Sequence, residues 1–594
     1  MSTSRRTTLP ALPSLIETTR PMIHDSWVLE PPASPSSFAP PLHPALRSLL
    51  LRRGIVTDDD YRRFVAPTLD DLHDPASIHG IGPACERIER AVRDRETILI
   101  YGDYDVDGVT SIVLLQTVLR SIGADAEHVV PHRLVDGYGL KTEVLDRVLQ
   151  ERAVKVVITV DCGITSIDPV RRAIEQGIDV IITDHHLPPG ILPEAAAVLN
   201  PKQPGCAYPF KELAGVGVAF KLACELIRRN GSKLSIASLL KIAAIGTIAD
   251  VAPLVGENRT IAWLGLHGLA DPRNPGLRAL MRRLGMLGRP LRAVDIGFKI
   301  GPRINAAGRL SSAETAIDLF SAKSEEEAWG LCAELDRLNT ERQGIERIVR
   351  EDAERQIAGH ERILVLAGEG WHKGVLGLTA GRIAQRMHRP VLMIGIDGDG
   401  AVGSARSIPT IDLHAELAAV GDLFAHFGGH EFACGFSLDR AGIEPLRERL
   451  TKRFATLDQT LFSRAVSVDG ELTLAEIDQE FIAGHELLQP FGAGNVQPVF
   501  LLRNASVLKV RTFAVDCADL TLEDPTGKTS AVLWPSVKRL ASVLEAGATA
   551  DLLVQIEPDA YEPSGARLVV IDARPAVRLA ELANTTGARN STQS

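Results

Sequence analysis

Several features are missing from this 594-residue sequence, and each absence argues against a class of protein. No apolar run approaches the roughly 20 residues that span a bilayer, so we do not expect a membrane protein. The first residues, MSTSRRTTLPALPSLIETTRP, contain an arginine pair but no continuous apolar segment, which argues against a signal peptide. The seven cysteines are scattered and include no CxxC pair. Neither a disulfide framework nor a zinc cluster is indicated, and we expect a cytoplasmic protein.

An excess of positive charge is also missing. The formal net charge of −10 argues against a protein coated in basic surface. It does not exclude nucleic-acid contact, because a local groove can be basic while the whole chain is acidic. Hydrophobic residues make up 45% and charged residues 24%, which is ordinary for a globular protein. The length predicts roughly three to five domains.

The pattern of apolar and charged residues changes along the chain. From residue 96, short β-branched runs such as TILIYGD, KVVITVD and DVIITDHH alternate with amphipathic helical segments, which predicts a parallel doubly wound sheet. A charged helical pattern over 312–360 indicates a solvated helix that connects two domains. A second α/β alternation follows, and short strands with Gly/Pro turns over 465–575 then suggest a small barrel.

These changes divide the chain into six predicted segments. They are a Pro/Ser-rich start (1–45), an α/β domain with N-terminal helices (46–311), the connecting helix (312–360), a smaller α/β domain (361–458), the barrel (459–577) and a loose tail (578–594).

Three aspartates follow the first apolar strand of the large α/β domain. Residues 101–111 read YGDYDVDGVTS and place Asp103, Asp105 and Asp107 at alternate positions after the run ETILI. Carboxylates this close repel one another, and a cation normally offsets that cost. Hard oxygen ligands at the carboxyl end of a strand suit Mg²⁺ or Mn²⁺. For this string taken alone, a solvated loop with helix-capping aspartates is the alternative.

Acids and histidines also end further elements. Asp161 follows KVVITV; Asp184, His185 and His186 follow VIIT; Asp250 ends the apolar helix KIAAIGTIA. Because the carboxyl ends of parallel strands meet at one edge of a sheet, we expect these side chains to converge. The sequence therefore predicts a divalent-metal site at that edge.

The motifs that carry these residues resemble those of a known superfamily. In order, DYDVDG, VDCG, TDHH and IAD resemble the four motifs of the DHH phosphoesterases. GPRINAAGR (301–309), GWHKGVLGLTAGRI (370–383), GSARS (403–407) and HFGGHEFACGFS (426–437) further resemble the RecJ family of single-stranded-DNA-specific exonucleases. The resemblance extends from about residue 75 to residue 575, and the ACG at 433–435 departs from the commoner AAG. It implies a parallel-sheet DHH domain, a long helix, a smaller α/β DHHA1 domain and a C-terminal OB-like barrel.

The resemblance also implies a site with two Mn²⁺ or Mg²⁺ ions. Carried over by motif, the metal ligands are Asp103, Asp105, Asp107, Asp161, His185 and Asp250. Two cations need a bridging carboxylate, and we assign Asp161 because it rises from a central strand. His186 is a candidate to contact the scissile phosphate or to assist proton transfer, and Asp184 is a candidate to orient a neighbouring histidine.

Residues of the later motifs are predicted to bind substrate. They are Arg303, Asn305, Arg309, His372, Ser404, Arg406, Gly428, Gly429 and His430. Guanidinium groups and glycine backbone N–H groups suit phosphate oxygens. The alternatives are surface salt bridges for the arginines, a core position for His372 and a plain turn for the glycine pair.

Basic and aromatic residues are interleaved in the barrel, which suits the stacking of bases and contact with phosphates. They are Lys509, Arg511, Phe513, Lys528, Trp534, Lys538, Arg539 and Tyr561. The alternative is that the aromatic side chains fill the barrel and the cations are solvated.

The resemblance implies hydrolysis of single-stranded DNA from the 5′ end to mononucleotides, in repair and recombination. It also implies a single-strand-binding protein and a RecQ-type helicase as partners, and a monomer is the simplest assembly. Two alternatives remain: a DHH phosphodiesterase of short oligonucleotides, cyclic dinucleotides or pyrophosphate, and a non-catalytic DNA-binding relative. The extra 140 residues or so after the GGH motif argue against the first, and the complete set of ligand positions argues against the second.

Overall fold

A computed structural model describes residues 24–33, 38, 40–133, 135–137, 139–514, 517–534, 540, 543–559 and 565–576. Its contacts divide the chain into two units. One unit comprises residues 66–458 and 490–496, and the other comprises residues up to 65, 459–489 and those from 497 onward. Within the described residues, no helix is both long enough and apolar enough to cross a bilayer.

The strands of the described residues are β1 (Ser26–Leu29), β2 (Thr97–Gly102), β3 (Ala126–Val129), β4 (Val154–Val160), β5 (Asp179–Thr183), β6 (Ala197–Leu199), β7 (Leu364–Glu369), β8 (Val391–Asp397), β9 (Gly400–Arg406), β10 (His426–His430), β11 (Ala433–Asp439), β12 (Ala465–Val468), β13 (Gly470–Leu472), β14 (Phe500–Ala514), β15 (Cys517–Asp524), β16 (Gly527–Leu533), β17 (Thr549–Pro558) and β18 (Ala566–Pro575). The helices are α1 (Pro44–Arg52), α2 (Asp58–Val65), α3 (Ile81–Asp94), α4 (Val106–Ser121), α5 (Thr142–Glu151), α6 (Ile167–Glu175), α7 (Gly215–Asn230), α8 (Ile236–Ala249), α9 (Gly256–Leu269), α10 (Pro275–Arg283), α11 (Ala293–Asp295), α12 (Gly301–Leu310), α13 (Glu314–Ser321), α14 (Glu325–Glu354), α15 (Lys373–Met387), α16 (Leu413–Ala418), α17 (Ile443–Ala455) and α18 (Gln479–Glu486).

The larger unit begins with the predicted parallel sheet, in the order β3-β2-β4-β5-β6. Its central strands are apolar on both faces because helices cover both faces, so β4 is buried from Val156 to Val160. Helix α4 is buried along most of its length and packs against α7 and α8. These apolar layers fix the carboxyl ends of β2, β4 and β5 beside one another.

The predicted long helix that joins the two α/β domains is α14, but the prediction of one solvated helix over 312–360 is wrong in two respects. The chain forms two helices, α13 and α14, because Ser324 caps a new helix with a hydrogen bond from the N–H of Glu327 (3.1 Å). Neither helix is fully solvated, since α13 buries Ile317, Leu319 and Phe320 against the core.

The second α/β domain follows α14 in the same unit. Its sheet has the order β10-β11-β9-β8-β7, with β7 and β8 parallel and the other pairs antiparallel. Helix α15 packs on β8 and β9 and also contacts α14. Strand β10, which carries the glycine pair, is one of the two edge strands of this sheet.

The smaller unit contains the barrel. Strands β14, β15, β16, β18 and β17 pair in turn, and pairing between β14 and β17 closes the ring. Strand β13 adds in parallel to β14, and β1 pairs in parallel with β12. A closed five-stranded barrel of this kind agrees with the OB-like fold predicted from the sequence.

The helices after residue 46 were predicted to belong to the catalytic domain, but α1 and α2 lie in the unit that contains the barrel. The reason is local packing: the guanidinium of Arg52 binds the backbone carbonyl and carboxylate of Asp469 (3.0 and 3.1 Å), and the ring of His43 contacts Phe481. The other predicted boundaries stay predictions. The predicted tail and residues 1–23 of the Pro/Ser-rich start lie outside the described residues.

Candidate metal centre

The acids and histidines at the strand ends gather in one place. The Nε2 atom of His185 lies 3.1 Å from Asp161 Oδ1, 3.9 Å from Asp107 Oδ2 and 4.0 Å from Asp250 Oδ2. Asp103, Asp105 and Asp161 form a second group whose ligand atoms lie within 4.8 Å of one another. Asp161 belongs to both groups, which is the position that a bridging carboxylate requires.

Backbone N–H groups hold the first aspartates in place. Asp105 caps α4 through hydrogen bonds from the N–H groups of Asp107 (2.9 Å) and Gly108 (3.2 Å). The carboxylate of Asp107 accepts 2.7 Å hydrogen bonds from the N–H groups of Gly215 and Val216, at the start of α7. These hydrogen bonds therefore fix the orientation of both carboxylates.

Asp161 is held in a conformation that costs energy. Its φ angle is 58°, in the left-handed region that residues with a side chain rarely adopt. Gly215 makes room for it, because a Cβ atom at that position would lie 2.6 Å from Asp161 Oδ1. The close approach explains why glycine begins α7.

The electrostatics of the cluster fit a divalent cation. Burial and the neighbouring carboxylates raise the pKa of Asp103, Asp161 and Asp250 well above the usual range, and they raise the pKa of Asp107 to about 7. The Oδ1 atom of Asp103 is buried and has no hydrogen-bond partner among the described residues. Several oxygens and one imidazole in this arrangement suit Mn²⁺ or Mg²⁺.

The two histidines have different environments. Burial lowers the pKa of His185 to about 3, so its imidazole is neutral, which is the form that binds metals. Burial alone would lower the pKa of His186, but the hydrogen bond to Asp184 (2.7 Å) and the negative charge of Asp184 raise this pKa above its usual value. The side chain of His186 is 44% exposed and therefore accessible to substrate.

Asp184 accepts hydrogen bonds from both histidines that follow it, and its role in orienting a histidine stays a prediction. Its Oδ1 accepts hydrogen bonds from the N–H groups of His185 (2.7 Å) and His186 (3.0 Å), and its Oδ2 accepts one from Ile164 (2.9 Å). Burial would raise its pKa, but these bonds and the imidazole of His186 hold the pKa below its usual value. These contacts support the predicted role of Asp184 as a positioning residue for His186.

Guanidinium groups gather beside the carboxylates. Burial and repulsion from Arg133, Arg342 and Arg406 lower the pKa of Arg309 to about 9, although Asp105 opposes the shift. Burial and repulsion from Arg133 also lower the pKa of Arg406. Cations that repel one another in a buried place favour an anionic ligand.

Arg133 belongs to this arginine cluster and was missed in the sequence. Its guanidinium lies over the ring of Tyr104, 4.7 Å from the centroid. It comes from the loop after β3 and carries no motif of its own, so it is recognised only because its charge lowers the pKa of Arg309 and Arg406.

The residues predicted from GPRINAAGR lie on helix α12 and have three different environments. Arg309 belongs to the arginine cluster and donates to the backbone carbonyl of Gly374 (3.2 Å). Asn305 accepts a hydrogen bond from the N–H of Val106 (3.2 Å) and so holds the start of α4. Arg303 instead binds Asp336 (2.6 Å), which is the salt-bridge alternative.

The predicted residues of the second α/β domain lie at the start of α15 and in strands β9 and β10. His372 caps α15 through a hydrogen bond from the N–H of Gly374 (3.1 Å). Ser404 accepts a hydrogen bond from Arg406 (3.1 Å), and His430 lies close enough to Arg406 and His186 to respond to their charges. Gly428 and Gly429 lie in β10. At Gly429 the positive φ (144°) and the nearby carbonyl of Ala433 leave no room for a side chain, whereas a Cβ atom at Gly428 would meet nothing within 4 Å. Binding by these residues stays a prediction.

The barrel exposes part of its predicted contact surface. Phe513 and Trp534 are 45% and 46% exposed and meet edge to face, with ring centroids 5.9 Å apart. These two rings therefore do not fill the barrel. Lys509, Arg511 and Lys528 are also exposed. Lys538, Arg539 and Tyr561 lie outside the described residues.

Comparison with known proteins agrees with this architecture. Three family models match in order: the DHH family N-terminal domain (97–247), the DHHA1 domain (360–457) and the RecJ OB domain (468–566). A crystal structure of RecJ from Thermus thermophilus in complex with Mn²⁺ is similar, with a TM-score of 0.81 and 29% identity. The alignment covers 93% of this chain and 80% of that one. A Mg²⁺ complex from the same organism has a TM-score of 0.74 and 26% identity, and the alignment covers 93% of this chain and 79% of that one.

Curated relatives carry the same name, "Single-stranded-DNA-specific exonuclease RecJ". The Bacillus subtilis protein is 40% identical over 474 residues, which cover 79% of this chain and 60% of the relative. The Salmonella typhimurium protein is 37% identical over 484 residues, which cover 77% of this chain and 83% of the relative. On this similarity, together with the three domains and the metal centre, the chain belongs to the RecJ family.

Proposed function

We propose that this protein is an exonuclease that hydrolyses single-stranded DNA from the 5′ end and releases mononucleotides. The observation that carries the proposal is the arginine cluster beside the carboxylates, because together they provide an anion site next to a metal centre. The names of the RecJ relatives and the complexes of the Thermus protein with Mn²⁺ and Mg²⁺ support the same activity.

The proposed centre holds two divalent cations. Asp107, His185 and Asp250 would bind one, Asp103 and Asp105 the other, and Asp161 would bridge them. When bound, such ions lower the pKa of a water molecule and neutralise the charge on phosphate oxygens. His186, kept in place and more basic by Asp184, would donate a hydrogen bond to the scissile phosphate or pass a proton to the leaving oxygen.

The phosphate donors beside the carboxylates support attack from the 5′ end. A terminal phosphate carries more charge than an internal phosphodiester, so Arg309, Arg406 and Ser404 would hold the 5′-terminal phosphate more strongly. The next phosphodiester would then lie at the carboxylates. Hydrolysis there leaves a 3′-hydroxyl and a 5′-phosphate on the released nucleotide.

The other readings receive less support. DHH phosphodiesterases of short oligonucleotides or cyclic dinucleotides lack the barrel, whereas this chain has a closed barrel with exposed aromatic rings. A non-catalytic relative would lose ligands, but every ligand position of this chain is filled. The proposal also includes a single-strand-binding protein and a RecQ-type helicase as partners and a monomeric assembly. It further includes a cytoplasmic location, which is consistent with the lack of a disulfide among the described residues.

A cleavage assay tests the function. We would incubate the full chain with 5′-labelled and 3′-labelled single strands and with duplex, in Mn²⁺, Mg²⁺ or EDTA. We expect 5′-labelled mononucleotides from single strands only, no cleavage in EDTA, and a loss of activity in Asp161→Ala. The matched control is Asp168→Ala, whose carboxylate is 82% exposed and pairs only with Arg171 in the described structure. Full activity of Asp161→Ala, or release of nucleotides from the 3′ end, would contradict the proposal.

A further inference from the structure

A second basic groove lies beside α14, outside the site described above. It has a volume of about 530 Å³ and is lined by Thr340, Gln343, Gly344, Glu346, Arg347, Arg350 and, from α15, Arg382. A cavity of this volume lies within the range of small-molecule sites. The space beside Gly344 is open, because a Cβ atom there would meet nothing within 4 Å.

The groove has a net positive charge and an acceptor that lacks a donor. Arg347 forms no ion pair with any described residue. Arg350 forms a loose pair with Glu354, in which Nε and Oε1 are 3.7 Å apart. Glu346 is 1% exposed; one of its carboxylate oxygens binds Arg382, while Oε1 is buried without a hydrogen-bond partner in the described part of the chain. A ligand that fits must carry negative charge for the arginines and a donor for Glu346.

A line of guanidinium groups connects the groove with the arginine cluster. Arg309 responds to the charge of Arg342, and Arg342 responds to the charge of Arg382, which lines the groove. Arg309 also responds to the charge of Asp105, so guanidinium groups extend from the candidate metal ligands to the lining of the groove.

We propose that the α14 groove binds the nucleoside 5′-monophosphate that the reaction releases. This inference rests on the proposed function. Arg347 and Arg350 would hold the phosphate, and Glu346 would accept a hydrogen bond from the base or from the sugar 3′-hydroxyl. That hydroxyl distinguishes the product from a nucleotide within a strand, whose 3′ oxygen is esterified and donates no hydrogen bond.

Calorimetric titration tests this site without turnover. Thymidine 5′-monophosphate would be titrated into the full chain in EDTA, which removes metal from the catalytic centre. Arg347→Ala/Arg350→Ala should raise Kd at least about tenfold, equivalent to about 1.4 kcal/mol. The matched control is Arg355→Ala, which changes a 71% exposed arginine directly after α14 and should leave Kd unchanged. Thymidine without phosphate should not bind.

Two results would overturn the inference. Binding that survives in the double variant and disappears in Arg406→Ala would place the nucleotide at the arginine cluster. Loss of affinity for a ten-nucleotide strand, with no loss of affinity for the monophosphate, would make the groove a contact for the substrate strand. Absence of cleavage in the labelled-strand assay would instead refute the proposed function, and monophosphate binding is measured independently of it.

Discussion

Gly215→Ala tests whether the position of Asp161 controls activity. The new Cβ atom would lie 2.6 Å from Oδ1, 2.8 Å from Cβ and 2.9 Å from Cγ of Asp161. To reach an ordinary contact of 3.4 Å, the carboxylate must retreat by about 0.8 Å. A displacement of about 1 Å in a reacting centre costs about 100-fold in rate. We therefore expect kcat to fall by about 30- to 100-fold, which corresponds to about 2–3 kcal/mol in the barrier.

The assay compares single-strand cleavage rates and thermal unfolding of the wild type, Gly215→Ala and Gly330→Ala. Gly330 is exposed inside α14, and a Cβ atom there would meet nothing within 4 Å, so the control should keep full activity and gain helix propensity. Since the N–H of Gly215 survives the change, the fold around Asp107 should persist. A folded Gly215→Ala protein with the wild-type kcat would refute the assigned role of Asp161.

Three further predictions concern the support of the site, the phosphate donors and the barrel. Asp184→Asn should lower kcat about 10- to 100-fold at little cost in melting temperature, because the adjacent imidazole loses its charged anchor. Arg406→Ala should abolish the preference for a 5′-phosphate over a 5′-hydroxyl terminus and raise KM at least about tenfold, as measured with the two strands in parallel. Burial raises the pKa of Asp572, but hydrogen bonds from His24 and Trp27 lower it by more, so the net pKa lies below the usual value. The ionised carboxylate therefore stabilises the folded state fully above the unfolded-state pKa. This stabilisation is lost as the pH falls through the lower folded-state pKa. Asp572→Asn should cost about 1–3 kcal/mol at pH 7 and flatten the acid dependence of unfolding, and an unchanged acid limb would contradict this assignment.

The metal centre could be predicted from the sequence because its chemistry is local. Each candidate ligand lies within five residues of the end of an apolar strand or helix, and a parallel sheet brings the strand ends to one edge without further information. Asp103, Asp161 and His185 are therefore identified by their place in the pattern. Their convergence in the structure agrees with that expectation.

The phosphate donors could be predicted only in part. Arg303 and Arg309 are equally suited to phosphate by residue type, but the turn of α12 directs one to Asp336 and the other to the arginine cluster. The side of α12 on which each arginine lies and the presence of Asp336 on α14 decide which arginine forms the salt bridge. The nine residues of the motif reveal neither. Arg133 has no motif, and it becomes visible only when the loop after β3 is placed beside Tyr104.

The fold could be predicted where the hydrophobic periodicity is strong. It could not be predicted where strands pair with segments that are distant in the sequence. The parallel pairing of Ser26–Leu29 with Ala465–Val468 joins segments more than 400 residues apart, and no local pattern announces it. The break before α14 depends on one capping serine inside an otherwise helical pattern.

The central claim is that the carboxylates and the imidazole hold two cations around Asp161. Mn²⁺ titration of the full chain, followed by electron paramagnetic resonance, measures the number of bound ions and their magnetic coupling. We predict two coupled Mn²⁺ ions per chain in the wild type and the loss of the coupled signal in Asp161→Ala. A single isolated ion in the wild type, or a coupled pair that survives in Asp161→Ala, would contradict the account.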